Sequence, residues 1–183
     1  MKNMVIPAVM AFLAACNPAQ QEKTEVAQPA ADSAAREIQS PFNITYSSRF
    51  AIDEPKNAET VLTLWKDYEE GNLSAHKELF ADSVVMYFSD GSSLSAGRDS
   101  IIAMGQRHRN TLAKVVDRVE AVTALKSTDK NENWVLIWGM ETSTAKNGKV
   151  DSVNLQETWR LNKEGKVNLL FQYSQATTPP KMK

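Results

Sequence analysis

Residues 134–175 read WVLIWGMETSTAKNGKVDSVNLQETWRLNKEGKVNLLFQYSQ, and they read as strand throughout. Along 150–162 Val153, Leu155, Glu157, Trp159 and Leu161 fall on one side, while Asn154, Gln156, Thr158 and Arg160 fall on the other. That period of two belongs to a strand with one buried face. Asn147-Gly148 suits a two-residue hairpin whose central residues both have positive φ, and Glu164-Gly165 offers a second tight turn. A looser polar turn at 129–133 joins this run to another strand over 114–126. Four strands, 114–126, 134–145, 150–162 and 167–175, linked by three hairpins, make an antiparallel meander.

Upstream the period changes. Val61, Leu64, Trp65 and Tyr68 recur at i, i+3, i+4 and i+7, Asn57 can cap the helix they define, and Gly71-Asn72 stops it. A short helix is expected over 75–81 (AHKELFA), a strand over 83–89 closed by Asp90-Gly91, and a third helix from Asp99 or Ser100 to about Leu112. Helices first and strands last give an α+β domain with its helices on one face of a curved sheet, not a βαβ nucleotide fold. No glycine-rich phosphate loop speaks for a cofactor, and none is expected.

The stretch Leu79-Phe80-Ala81-Asp82-Ser83-Val84-Val85-Met86-Tyr87, with the order of elements over about 120 residues, resembles the nuclear transport factor 2-like superfamily, in particular its SnoaL-like and ketosteroid-isomerase-like branches. The resemblance implies a cone, a cystatin-like α+β roll in which a curved antiparallel sheet packs against three N-terminal helices around a pocket. Superfamily members include isomerases, cyclases, dehydratases and binding modules, so the fold by itself does not name a reaction. In the ketosteroid-isomerase-like enzymes an Asp near the end of the first strand abstracts the proton. The matching position here is Phe88, whose ring cannot be a base. Asp90, two residues on, is the nearest substitute, although turn chemistry explains Asp90-Gly91 more simply.

Glu157 shares its side of the strand with an apolar row. A carboxylate there tends to have a raised pKa and can act as acid, base or ligand acceptor; the alternative is a Glu held by an Arg or a backbone amide at the sheet rim. His108 sits on the third helix at the spacing of Ile101, Met104, Gly105 and Leu112, flanked by Arg107 and Arg109. By the resemblance, that helix overhangs the pocket. Trp65, Tyr68, Tyr87, Trp138, Trp159 and Tyr173 complete a candidate pocket suited to a small planar or lipid-like ligand, and they suit a packed core equally. His76 stands beside Lys77 on the short helix, and two isolated histidines make no metal site. Residues 134–140 are apolar on both faces. Helices can cover one face, and a second subunit can cover the other, since dimers are common in this superfamily.

Of 183 residues, 21 are Lys or Arg and 22 Asp or Glu, and this balance gives no field for nucleic acid. Residues 4–15 (MVIPAVMAFLAA) follow Lys2 and are too few to span a bilayer, which takes about 20. They end in Leu13-Ala14-Ala15-Cys16, which resembles the lipobox of bacterial lipoproteins, where the Cys is acylated after cleavage of the signal. Acylation of Cys16, the single cysteine, leaves no thiol for a disulfide, a nucleophile or a metal. Residue 17 is Asn where an inner-membrane lipoprotein of the enterobacterial type has Asp, so the resemblance points to the outer membrane of the cell envelope. Residues 17–55, rich in Ala, Gln, Pro, Glu and Ser, read as a flexible tether, in which Phe42, Ile44, Tyr46 and Phe50 alternate as a short strand able to dock on the domain edge. The folded domain is expected over 56–178, with a tail over 179–183. Asn43-Ile44-Thr45 and Asn72-Leu73-Ser74 match a glycosylation triplet that a bacterial lipoprotein does not use.

The leading expectation is a lipid-anchored envelope domain whose pocket binds a small apolar molecule or a protein partner without catalysis. An isomerase, dehydratase or hydrolase with Glu157 or Asp90 as base and His108 or Tyr87 as donor is the second. A dimeric assembly module working through its sheet is the third.

Overall fold

The computed structural model describes residues 38–177. Cys16 with its lipobox, the tether before residue 38 and the tail over 179–183 lie outside them. The elements in chain order are β1 (Phe50–Ile52), α1 (Pro55–Glu70), β2 (Phe80–Tyr87), β3 (Ser93–Gly97), α2 (Arg98–Arg109), β4 (Leu112–Ser127), β5 (Glu132–Ala145), β6 (Val150–Leu161) and β7 (Val167–Ala176). Seven strands form one curved, unclosed sheet in the order β1-β4-β5-β6-β7-β2-β3. The α+β class and the meander of β4 to β7 are as the alternation predicts. The sheet is mixed, however, because β2 pairs with β7 in parallel, Val85 to Tyr87 lying against Leu169 to Phe171.

Among the described residues there are two α-helices, not three. Residues 77–79 make a single 3₁₀ turn, because Phe80 and Ala81, assigned to a helix by their apolar spacing, are drawn into the sheet: Phe80 pairs with Val167, and both residues are buried. β3 (SLSAG) is an edge strand of small residues that carries no strand signal of its own. α1 begins two residues before Asn57, since Pro55 at its first position has the helical φ built in. Gly71 ends α1 with φ 78°, and the amides of Gly71 and Asn72 return to the carbonyls of Tyr68 and Asp67. Arg109 of α2 completes this end, its Nε donating to the Tyr68 carbonyl at 2.8 Å and its Nη2 to that of Glu69 at 2.9 Å. Nearby, the buried Asp67 carboxylate holds His76 Nδ1 at 3.0 Å through each oxygen.

The β5–β6 and β6–β7 hairpins share one three-residue loop. Ala145 and Lys149, like Asn162 and Lys166, close a turn in which Gly148 (φ 85°) or Gly165 (φ 73°) alone takes the left-handed conformation. Asn147 therefore does not share a two-residue primed turn with Gly148; its side chain accepts the Lys149 amide instead. β1, within the segment read as tether, pairs with the edge of β4, and Tyr46 meets Trp134 edge-on at 5.9 Å.

The core lies between the helices and the concave face of the sheet. Val61, Leu64 and Trp65 of α1 and Ile101 and Ile102 of α2 pack against Val84, Val135, Ile137, Trp159, Leu161, Val167 and Leu170. Among the described residues no helix is long and apolar enough to cross a membrane.

Candidate functional site

The inward rows of β5 and β6 are buried at one end and open at the other. Val135, Ile137 and Gly139 are buried, whereas Glu141 and Ser143 on the same row are half-buried. Leu161, Trp159 and Glu157 are buried, whereas Leu155 and Val153 are half-buried. The protein's own side chains thus fill the narrow end of the cone and leave its wide end accessible.

Glu157 marks the boundary. It is 4% exposed, directly opposite Ile137 on β5 and Gln172 on β7. Its Oε2 accepts from the indole nitrogens of Trp65 (2.7 Å) and Trp159 (3.0 Å), and its Oε1 accepts from Gln172 Nε2 (2.8 Å). Burial pushes this carboxyl above its ordinary range, and the three N–H donors oppose the shift without cancelling it. Neither an Arg nor a backbone amide is among these three partners; two indoles and an amide hold the carboxylate. Gly139 makes the arrangement possible. A Cβ there would lie 2.7 Å from the Arg118 carbonyl oxygen and 2.9 Å from Trp65 Cζ3. Only a bare backbone lets the Trp65 ring lie flat enough on β5 to reach Glu157.

The helix side of the wide end is made by Tyr68 and His108. The Tyr68 hydroxyl and His108 Nδ1 are 2.9 Å apart, with the rings stacked at 6.4 Å. Burial, together with Glu141 and Asp117, raises the Tyr68 hydroxyl above its ordinary range against the pull of Arg109. On the sheet side, Asp117 of β4 pairs with Glu141 of β5 on the same inward face. Burial, then the charges of Glu141, Glu69 and Glu157, push Asp117 up to about 7, with Arg109 opposing. Burial and Glu157 raise Glu141 likewise, again against Arg109.

The eight residues of the candidate pocket do not share one face. Trp65, Tyr68, Glu157 and Trp159 meet on the concave side, with His108 bonded to Tyr68 at its mouth. Trp138 pairs with Gln156, the neighbour of Glu157, and so points to the opposite face, where it is 38% exposed. Tyr173 shares that face through its own pairing with Gln156, and Tyr87 stacks there on Phe171 at 5.0 Å. Tyr87 is accordingly remote from Glu157 as a proton donor. Asp90 lies in the exposed turn between β2 and β3, where the Ser92 hydroxyl and amide hold its carboxyl below the ordinary range. Phe88 packs against the core. A surface cavity of about 400 Å³ at Asp82, Gly97, Arg98, Asp99 and Ser100 lies at the other end of α2 from His108. Arg98 is engaged there by Asp82 and the Phe80 carbonyl.

Asp117, Glu141, Gln172 and Arg109 are the site residues that reading the sequence missed. The signal for Glu141 was present, since it continues the row of Val135 and Ile137 as Glu157 continues that of Leu161 and Trp159. Asp117 follows the buried Val115 by two in the same way. Gln172 and Arg109 become visible only with strand register and helix docking.

A consequence for pH follows from Asp117. Its folded value of about 7 exceeds its ordinary 3.8, so the folded state binds the proton more tightly and loses stability as pH rises through that window. Asp117→Asn is expected to gain stability above pH 7, on the order of 1 kcal/mol once partial exposure is allowed for, and nothing below pH 4. Urea unfolding at pH 4 and pH 8 checks both the sign and the window.

A curved seven-stranded sheet whose concave face is covered by two helices, with ionisable groups at its open end, defines a cone-shaped α+β domain. The chain has the nuclear transport factor 2-like fold. An NTF2-like protein of unknown function from Exiguobacterium sp. 255-15 matches with a TM-score of 0.52 at 15% identity, over 64% of this chain and 99% of its own. The LEH-like epoxide hydrolase of Mycobacterium tuberculosis matches with a TM-score of 0.55 at 10% identity, over 66% and 83%. Another M. tuberculosis protein, solved in complex with estradiol-17beta-hemisuccinate, matches with a TM-score of 0.53 at 18% identity, over 64% and 92%. At these identities the likeness is one of fold. No family model matches the chain, and no curated protein matches it.

Proposed function

We propose that the wide end of the cone binds a small molecule with an apolar body. The observation that carries this reading is the change from buried to half-buried along the inward rows of β5 and β6, on a face that is core elsewhere. Leu155 and Val153 offer an apolar wall, and Tyr68, His108, Asp117 and Glu141 offer polar contacts, which is the usual composition of a ligand site. The steroid derivative bound by one structural neighbour is a reasonable first probe. Titrating estradiol-17beta-hemisuccinate into the protein should shift the indole N–H signals of Trp65 and Trp159 and leave that of Trp138, on the outer face, in place. Shifts confined to Trp138 would move the site to the other side of the sheet.

A catalytic version of this reading is favoured by the placement of Asp117, half-buried on the inward face opposite Glu141 with Oδ1 unpartnered, where burial raises its carboxyl into the range that suits proton transfer near neutral pH. It replaces Glu157 as the base, because the carboxylate of Glu157 is already held by three donors. An isomerase, dehydratase or hydrolase working this way would lose turnover in Asp117→Asn with its fold intact.

The outer face of the sheet supports a homodimer. Thr123, Leu136, Thr158, Phe171 and Tyr87 follow one another across five strands, all uncharged. Ala121, Trp138, Gln156 and Tyr173 form a second uncharged row beside them. A charge at the centre of that face, Trp138→Glu, should turn a dimer into a monomer in sedimentation velocity, and a wild-type monomer would remove the proposal. We also propose that Cys16 is lipidated and holds the domain at the cell envelope, which rests on Leu13-Ala14-Ala15-Cys16, and at the outer membrane, which rests on Asn17. Labelled palmitate should enter the wild-type chain and be absent from Cys16→Ser.

A further inference from the structure

Toward the wide end of the cone the inward rows of β4 and β5 carry two acids, with Val115 and Ser143 beyond them. Asp117 and Glu141 are direct partners in the antiparallel register, so their Cβ atoms lie about 5 Å apart on one face, where two full negative charges repel. Their surroundings do little to relieve this. Glu69 of α1 and Glu157 of β6 add negative charge, and Tyr68 of α1, bonded to His108 of α2, stays neutral. Arg109 of α2 is a cation that acts on both acids, yet three of its N–H groups are given to the carbonyls of Tyr68, Glu69 and Leu112. Asp117 Oδ1 is shielded from solvent and has no hydrogen-bond partner in the protein. A buried acceptor left in that condition calls for a hydrogen, and Glu141, its partner in the register, is placed to supply one.

We propose that Asp117 and Glu141 hold a single proton between them at neutral pH and form the polar end of the ligand site, receiving the hydroxyl of an uncharged small molecule. The direction of both carboxyl shifts, upward, agrees with this. With that proton lying between the two carboxyls, the oxygens left over are acceptors, and a hydroxyl group can donate to one of them. A carboxylate has no hydrogen to donate and adds charge to the pair, and a bare hydrocarbon offers no hydrogen bond at all. The assignment of the ligand class rests on the reading that the wide end binds a small molecule; the sharing of the proton does not.

Two measurements on the full-length protein separate these parts. In carboxyl carbon NMR, Asp117 should titrate near neutral pH, and Glu141→Gln should lower its midpoint by about one pH unit or more, as loss of a coupled neighbour requires. An Asp117 midpoint that stays in place overturns the shared proton. If Glu141→Gln does not fold, Asp117→Asn read at Glu141 gives the same test. In calorimetry at pH 6.5, 2-naphthol should bind about tenfold more tightly than naphthalene or 2-naphthoate, and Asp117→Asn should remove that advantage. Equal binding of naphthol and naphthalene overturns the hydroxyl assignment. Binding of none of the three overturns the ligand site itself and leaves the carboxyl titration to decide the proton.

Discussion

Glu157→Leu is expected to destabilise the domain by about 3 to 5 kcal/mol, because it leaves three buried N–H donors facing a methyl group. Trp65 Nε1, Trp159 Nε1 and Gln172 Nε2 all end on this one carboxylate, and they come from α1, β6 and β7. Removing it therefore unties helix from sheet as well as strand from strand. Glu157→Gln is a much smaller change. The amide oxygen can still accept both indoles, and Gln172 can turn its own amide so that its oxygen faces the new NH2 group, at a cost of about 1 kcal/mol. Urea midpoints at constant m-value measure both variants. If leucine is no worse than glutamine, Glu157 does not organise the core in the way its three bonds imply.

The second large effect is expected at Gly139, where an added methyl group meets a backbone carbonyl oxygen at 2.7 Å and the Trp65 ring at 2.9 Å. The carbonyl belongs to Arg118, next to a bulge in β4 between Val119 and Ala121, so it has little freedom to retreat. Gly139→Ala should cost about 2 to 4 kcal/mol, and Gly139→Val more. The Trp65 ring must then lift from the sheet, which draws its indole N–H away from Glu157. The Trp65 indole signal should consequently move upfield toward the value of a free indole in Gly139→Ala while that of Trp138 does not. Because Gly139→Ala and Glu157→Gln both act through Trp65, their costs should fall short of additivity in the double variant.

The fold was legible where a period ran long. Sixteen residues of α1 with an apolar stripe at 61, 64, 65 and 68 and four strands with clean alternation leave few architectures open. Reading failed where burial overrode local pattern. Phe80 and Ala81 have helical spacing with their upstream neighbours, but Phe80 pairs with Val167 of β7, far along the chain, and that pairing draws both into the sheet. β3 is built of Ser, Ala and Gly around a single apolar Leu94, and its pairing with β2 is what holds it extended. The same contrast governs the site. Glu157 stood out as a charge on an apolar row, and its burial follows from that alone. The identity of its partners does not, since Trp65 is 92 residues away and reaches it only because position 139 lacks a side chain. Aromatic residues on strands gave the least information. Trp159 and Trp138 look alike in the chain, yet one faces the helices and the other faces away, and the register of β5 on β6 decides which.

The most direct measurement of the central claim is native mass spectrometry of the wild-type protein and Leu155→Trp after incubation with a small-molecule extract of the cells that make it. Leu155 is half-buried at the open end against the edge of the core and is not a hydrogen-bond partner of Glu157, so a larger ring there should occupy the open space and leave the three bonds to Glu157 in place. A reproducible adduct on the wild-type protein that disappears in Leu155→Trp is the predicted result. An adduct of equal abundance on both proteins, or none on either, would contradict a ligand site at the wide end of the cone.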